Sequence, residues 1–185
     1  MTNHDVSNHN TVTTPDSVTI RAAAAHEIPL VLAFIRELAV YERLEERVQI
    51  TAADLSAALF GARPYAEVVF ACLDEKPVGF ALFFHNFSTF IGKPGIYLED
   101  LFVRPEARGL GAGKRLFAYL AKLALERGCA RLDWAVLDWN EPSIAFYRSL
   151  GAEPQGDWTG YRLSGGALER LAAEGARAAD PFSRQ

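Results

Sequence analysis

The stretch VRPEARGLGAGKR, residues 103–115, is the most informative part of the chain for its fold. It follows a run typical of a β-strand and leads into a run with helical periodicity. Glycines at 109, 111 and 113 lack a Cβ, so backbone N–H groups can face an anion there. The N-terminus of the following helix adds partial positive charge, and Arg108 and Lys114 add full charges. This pattern predicts a diphosphate-binding turn. Glycines that only allow tight strand–helix packing are the alternative.

Two well-known phosphate motifs do not fit this stretch. A Walker A loop needs glycine at position 108 and Ser or Thr at position 115, and both positions are arginine. The dinucleotide fingerprint needs GxGxxG, whereas the spacing here is GxGxG. The pattern that fits is Arg-x-x-Gly-x-Gly, at 108–113.

The periodicity of the flanking sequence predicts an alternation of strands and helices. Asp74-Glu75-Lys76 predicts a hairpin turn, and the strand–helix–strand unit at 95–137 predicts one parallel strand pair. We therefore expect an α/β (α+β) fold: a mixed, mostly antiparallel sheet with helices on both faces. The expected strands are Val18–Arg21, Glu67–Leu73, Pro77–Phe84, Gly95–Val103, Arg131–Leu137 and Asp157–Leu163, with helices near 28–43, 51–60, 111–127 and 140–150 and at the C-terminus.

Length and composition exclude several classes of protein. The 185 residues predict a single domain over 18–172, with a disordered N-terminal tail at 1–17 and a frayed C-terminal tail at 173–185. A net charge of −4 argues against a general nucleic-acid binder. The longest apolar run, Val78–Phe84, is too short to span a bilayer.

The same composition gives no sign of export or of a metal site. Residues 1–17 contain no Lys or Arg and no apolar segment, so they do not resemble a secretory signal. Cys72 and Cys129 have no CxxC spacing, and the four histidines suggest no metal cluster. We therefore expect a cytoplasmic protein that holds no metal and binds neither membrane nor nucleic acid.

A second motif, DWNEPSIAFYRSLGA at 138–152, also follows an expected strand. Asn140, Ser143 and Tyr147 fall at helical spacing and share one face of the short helix. Asn140 alone reads as an ordinary N-cap, and Tyr147 alone as a core aromatic residue. Two such motifs, each at the exit of a strand, favour a shared binding role.

Together, RGLGAG at 108–113 and NEPSIAFYRSLGA at 140–152 resemble the acetyl-CoA-binding motifs of the GNAT acetyltransferase superfamily. The resemblance runs from about Val18 to Leu163. The segments at 37–48 (ELAVYERLEERV), 92–114 and 139–147 are more narrowly similar to the diamine (spermidine/spermine) N-acetyltransferase branch. The resemblance implies an enzyme that transfers the acetyl group of acetyl-CoA to a primary amine of a small cationic acceptor: a diamine, polyamine or basic amino-acid derivative.

The resemblance also implies roles for particular residues. The end of the strand at 101–103 would bond the pantetheine arm of the cofactor, and the glycine turn would hold its pyrophosphate. Tyr147 would give its proton to the CoA sulfur. The implied cofactor contacts are Leu101, Phe102, Val103, Arg108, Gly109, Leu110, Gly111, Ala112, Gly113, Lys114, Asn140, Ser143 and Tyr147.

Four further residues are implied in acceptor binding: Tyr41, Glu42, Glu99 and Asp100. Acyl transfer to an amine with a pKa near ~10 requires a proton acceptor at neutral pH. By resemblance Glu99 is that acceptor. Glu99 and Asp100 are consecutive in an expected strand, so we expect their side chains on opposite faces and only one at the amine. Without the resemblance, both carboxylates read as a solvated strand end, and Glu42 as a solvated helix end.

The sequence departs from the branch pattern near its C-terminus. Thr159 and Tyr161 stand where the diamine acetyltransferases carry a carboxylate and a tryptophan, which removes one anionic contact to a polyamine. A protein or peptide acetyltransferase and a non-catalytic CoA-binding protein are the alternative functions. Exposed edge strands and the habit of the family suggest a homodimer.

Overall fold

The computed structural model describes residues 18–175, so the tail expected at 1–17 and most of the one expected at 173–185 lie outside the described residues. The described chain forms two compact units, which divide between Trp139 and Asn140. The single domain expected over 18–172 stays a prediction.

The first unit is built on a five-stranded sheet with strand order β1-β2-β3-β4-β5. The first four strands pair antiparallel, and β4 and β5 pair parallel. This confirms the mixed, mostly antiparallel sheet with one parallel pair. The strands are β1 Val18–Ala22, β2 Glu67–Leu73, β3 Lys76–Ser88, β4 Lys93–Val103 and β5 Leu132–Trp134.

The sequence located the strand centres better than their ends. The β2–β3 hairpin turns at Asp74 and Glu75, which have φ values of 46° and 65°. Such left-handed values are those of a two-residue type I′ turn, so the predicted hairpin is confirmed. β3 continues to Ser88 instead of ending at Phe84, because it pairs with β4 over that whole length. β5 covers only Leu132–Trp134 of the predicted 131–137.

Two helices cover one face of this sheet: α1, Ile28–Glu42, and α2, Ala52–Phe60. Thr51 caps α2 through a reciprocal capping box with Asp54, as the sequence predicts. The Phe34 ring of α1 stacks on Phe80 of β3, with centroids 5.4 Å apart. The core on this face is Ile28, Val31, Leu32, Phe34, Leu38, Leu55, Leu59, Val68, Phe70, Cys72, Phe80 and Phe102.

A third helix, α3 at Ala112–Glu126, covers the opposite face. Strand residues alternate between faces, so Val69 and Ala71, buried between core residues of the first face, point toward the second. Phe117 of α3 packs edge-on against Trp134 of β5, at 4.9 Å between centroids. Helices on both faces are therefore confirmed.

The second unit contains α4, Glu141–Ser149, and α5, Gly165–Gly175. Gly151 has a φ of 83°, which only glycine adopts readily, and it follows α4 as predicted. The strand predicted at 157–163 is wrong: these residues form no strand in the structure. Trp158 and Tyr161 are 77% and 96% exposed there.

Candidate functional site

The glycine turn has open space where side chains would stand. Gly109 and Gly111 have φ values of 76° and 87°, and a Cβ on either would meet no atom within 4 Å. Gly111 is the N-cap of α3, whose first helical bond runs from the Arg115 N–H to the Gly111 carbonyl at 2.9 Å. The amides of Ala112 to Lys114 therefore precede the hydrogen-bonded turn. Amides at a helix N-terminus beside glycines suit a diphosphate.

The edge of β4 that leads into this turn is only partly paired. Parallel pairing with β5 covers Ile96–Leu98 and ends there. In the described part of the chain, Glu99–Val103 then lie in the sheet beside β3 alone. Backbone groups on the other edge of this segment suit an amide-containing chain such as a pantetheine arm. The residues present therefore fit the cofactor that the sequence predicts.

Arg108 occupies a position between this edge and α1. Its Nε donates to the Val103 carbonyl at 3.0 Å. Its guanidinium carbon lies 4.8 Å from the centre of the Tyr41 ring and 5.6 Å from that of Phe102. Arg108, which is predicted to bind the cofactor, thus contacts Tyr41, which is predicted to bind the acceptor.

A cleft of about 450 Å³ opens between the C-terminal end of α1, the segment that follows it and β4. Of the residues predicted to bind the acceptor, the structure brings Glu42, Glu99 and Asp100 together in its lining. The complete lining is Ile35, Leu38, Ala39, Glu42, Leu44, Arg47, Val48, Gln49, Ile50, Glu99 and Asp100.

A β-bulge at Glu99 interrupts the strand alternation from which Glu99 and Asp100 are predicted to point to opposite faces. Asp100 pairs with Leu82, but the next pair along β4 is Leu98 with Phe83. Glu99 is therefore an extra residue with no partner on β3. The bulge interrupts the regular alternation of side chains, and both consecutive residues line the same cleft.

Burial raises the pKa values of two carboxyl groups in this cleft. The pKa of Asp100 is raised to about 6, first by burial and then by the negative charges of Glu99 and Glu42. Burial also raises the pKa of Glu42. A site that makes its own carboxylates costly to ionise favours a cationic ligand.

Aromatic and ionic contacts fix the end of α1 beside the cleft. Tyr41 packs against Phe102 and Trp139, with ring centroids 6.4 and 6.2 Å away. Arg104, just after β4, forms a bidentate ion pair with Glu37 of α1 at 2.9 and 2.8 Å. These contacts connect α1 directly to the exit of β4.

In the second unit, the predicted residues lie at the start of α4. Asn140 is buried, and its side-chain oxygen accepts a hydrogen bond from the Ser143 amide at 3.4 Å. It is the N-cap of α4, which contains Ser143 and Tyr147 four residues apart and therefore on one face.

Sequence reasoning missed two contributors to the site. Arg47 lines the cleft, although the charge-rich run around it reads as a solvated helix end. Trp139 contacts Tyr41 and lies 5.7 Å below the guanidinium of Arg43. Nothing in the spacing of these residues along the chain signals either contact.

Residues 18–175 offer neither a metal site nor a membrane-spanning helix. No group of three or more His, Cys, Asp or Glu side chains there could hold a metal ion. No helix in that range is long and apolar enough to cross a membrane.

Comparison with known proteins agrees with this geometry. Residues 32–152 match the acetyltransferase (GNAT) family. A thialysine N-epsilon-acetyltransferase of Sus scrofa is 38% identical over 170 residues, which cover 85% of this chain and 99% of that protein. An L-ornithine N5-acetyltransferase of Arabidopsis thaliana is 30% identical over 197 residues, which cover 82% of this chain and 86% of that protein.

The solved structures include a similar fold. An integron cassette protein from the mobile metagenome of V. cholerae superposes with a TM-score of 0.71 at 31% identity, covering 84% of this chain and 98% of that one. The chain belongs to the GNAT acetyltransferase family and is an N-acetyltransferase. The resemblance found in the sequence is confirmed.

Proposed function

We propose that this acetyltransferase acetylates a primary amine of a small cationic acceptor, with acetyl-CoA as its co-substrate. The observation that carries the proposal is the convergence of Glu42, Glu99 and Asp100 on one cleft. Three carboxylates from two elements raise the local concentration of cations and disfavour anionic acceptors. Similarity to enzymes named for thialysine and ornithine supports the same class, since both names denote an amino acid with a side-chain amine.

An acceptor amine must lose a proton before it can attack a carbonyl carbon. Its pKa near ~10 means that it arrives as an ammonium ion. In this proposal the Glu99 carboxylate takes the proton, directly or through one water. Asp100 beside it holds the charged amine and lowers the cost of bringing the ammonium into the cleft.

Glu42 has a different role in this proposal. It belongs to α1, whereas the other two carboxylates belong to β4. A diamine can therefore place its reacting amine at the β4 carboxylates and its distal ammonium at Glu42. Because Glu42 binds the distal ammonium, it does not stabilise the charged form of the reacting amine at β4.

Acetyl-CoA, when bound, supplies the acetyl thioester. The turn from Gly109 to Lys114, with Arg108 before it, would hold the pyrophosphate, and the backbone of Leu101–Val103 would orient the arm. Asn140 and Ser143 would contact the same molecule. The Tyr147 hydroxyl would give its proton to the leaving sulfur, as a phenol of pKa ~10 suits a thiolate of pKa ~8.5.

The proposal extends to compartment and assembly. Cys72 and Cys129 are both free, which suits the cytoplasm. Exposed Phe87, Phe90 and Ile91 around the β3–β4 hairpin offer apolar surface for a homodimer. Light scattering on the purified protein tests the assembly: a mass of one chain at micromolar concentration would exclude the dimer.

Release of free thiol from acetyl-CoA tests the proposed reaction. The acceptors are putrescine, spermidine, lysine, thialysine and a peptide with an internal lysine. We expect turnover with the small amines and little with the peptide. Turnover with the peptide alone would assign the enzyme to protein substrates and overturn the proposal.

A further inference from the structure

One wall of the cleft carries a positive charge, whereas α1 and β4 contribute carboxylates. The segment after α1 forms a 3₁₀ turn at Glu45–Arg47 and then runs to α2. Its contribution to the lining includes Arg47, which is opposite in charge to the carboxylates of α1 and β4, and the neutral amide of Gln49. Among residues 18–175, Arg47 is the one cation that lines the cleft.

The other arginines near the end of α1 already have partners, whereas within residues 18–175 the Arg47 side chain has none. Arg104 pairs with Glu37, Arg108 bonds the Val103 carbonyl, and Arg43 packs on Trp139. Arg47 forms no ion pair with any carboxylate in the part of the chain that the structure describes. Its side chain is exposed, so the guanidinium can reach a ligand without breaking a contact.

A guanidinium on a cleft wall has a specific chemical preference. It binds carboxylates through two parallel N–H···O bonds, and it repels an ammonium. A diamine or polyamine presents only ammonium groups and gains nothing from Arg47. A free basic amino acid carries two ammonium groups and one carboxylate, which matches a cleft with three carboxylates and one guanidinium.

We propose that Arg47 binds the α-carboxylate of a free amino-acid acceptor and so selects basic amino acids over diamines of the same carbon skeleton. This inference rests on the proposed function. The side-chain amine would lie at Glu99 and Asp100, the α-ammonium at Glu42 and the α-carboxylate at Arg47, with the Gln49 amide as a second donor. Such an arrangement also disfavours a lysine within a peptide, because its α-carboxylate has become a neutral amide.

Ornithine and putrescine form a matched pair for the test, since they differ only by the carboxylate. We expect wild-type kcat/KM to be higher for ornithine than for putrescine or ornithine methyl ester. Arg47→Gln should lower the ornithine-to-putrescine ratio by about 10- to 150-fold, the range for a hydrogen bond between charged groups. The loss should appear in KM, and Arg47→Lys should recover part of it. Arg36→Gln removes an exposed charge from α1 outside the cleft and should leave the ratio unchanged.

The outcomes separate this inference from the function on which it rests. If the enzyme acetylates both amines and Arg47→Gln leaves their ratio unchanged, Arg47 does not read the carboxylate. If wild-type kcat/KM is the same for ornithine and for its methyl ester, the inference fails on the wild-type measurement alone. If neither of these amines nor spermidine, lysine or thialysine is acetylated, the proposed function fails and this inference with it.

Discussion

The Arg108 guanidinium lies 4.8 Å from the centre of the Tyr41 ring, and its Nε donates to the Val103 carbonyl at 3.0 Å. One side chain therefore connects the glycine turn, the edge of β4 and the last turn of α1. In the proposed reaction these three elements bind the pyrophosphate, the pantetheine arm and the acceptor. Arg108 is thus positioned to couple the binding of the two substrates.

The first prediction concerns the cofactor turn. Wild-type protein should bind CoA with micromolar affinity, on the order of −8 kcal/mol by titration calorimetry. Arg108→Glu should weaken binding because it puts a negative charge beside the diphosphate. Gly111→Asp should do the same and also strain a backbone at a φ of 87°.

A charge reversal elsewhere provides the control. Arg63→Glu alters an exposed residue in the segment between α2 and β2 and should leave CoA affinity unchanged. If folded Arg108→Glu or Gly111→Asp protein binds CoA as tightly as wild type, the cofactor does not use this turn.

The second prediction concerns the proton donor. Tyr147→Phe should keep CoA affinity and lower kcat by about 10²-fold or more, the usual scale for one general acid. The ring stays in place, so only the hydroxyl is lost. Rapid-quench measurement of the chemical step checks this; an unchanged rate for that step would remove Tyr147 from the mechanism.

The third prediction separates the two carboxylates of the β-bulge. Glu99→Gln should lower kcat by about 10²-fold, since it removes the proton acceptor. Asp100→Asn should act mainly on the amine KM. Because the pKa of Asp100 is about 6, the wild-type amine KM should rise as pH falls below that value, and Asp100→Asn should flatten this dependence. Equal kcat losses in both variants would contradict the division of roles.

The fourth prediction is a stability effect of the same residue. The folded-state pKa of Asp100 is about 6, against an ordinary value of 3.8, so the folded protein holds a proton between these pH values that the unfolded chain has released. Its free energy of unfolding should therefore fall as pH rises through this window. Asp100→Asn should be more stable than wild type by about 1–3 kcal/mol at pH ~7.5 and nearly equal at pH ~4.

Urea denaturation at the two pH values measures this difference. Asp54→Asn is an opposite control, because hydrogen bonds from Thr51 lower the pKa of Asp54. That variant should lose stability at neutral pH. A destabilised Asp100→Asn at neutral pH would show that the buried charge is compensated in the folded protein.

Much of the fold could be read from the sequence, because local patterns determine it. β2 was predicted to the residue, and α3 to within one residue at each end, because the continuous apolar run of β2 and the helical spacing of apolar residues in α3 coincide with buried positions. The predicted strand at 157–163 failed for a related reason. The apolar residues Trp158, Tyr161 and Leu163 give a strand-like pattern, but a strand also needs a partner, and these side chains are exposed.

Three residues predicted for acceptor binding, Glu42, Glu99 and Asp100, do line one cleft, but the geometry of that cleft could not be predicted. The β-bulge at Glu99 depends on which residue of β3 faces which residue of β4. This register between strands cannot be predicted from the sequence of either strand alone. Arg47 is likewise invisible in the sequence, since it lines the cleft only because α1 ends at Glu42 and the chain turns there.

The acceptor site is tested most directly by the ratio of kcat/KM for putrescine to that for butylamine, measured in wild type and in Glu42→Gln. Only putrescine carries a distal ammonium for Glu42 to bind. We predict a ratio well above one in wild type and a fall of about 10- to 150-fold in Glu42→Gln, with Glu46→Gln, which lies outside the lining, unchanged. Equal losses on both amines, or an unchanged ratio, would contradict the assignment of this cleft to a cationic acceptor.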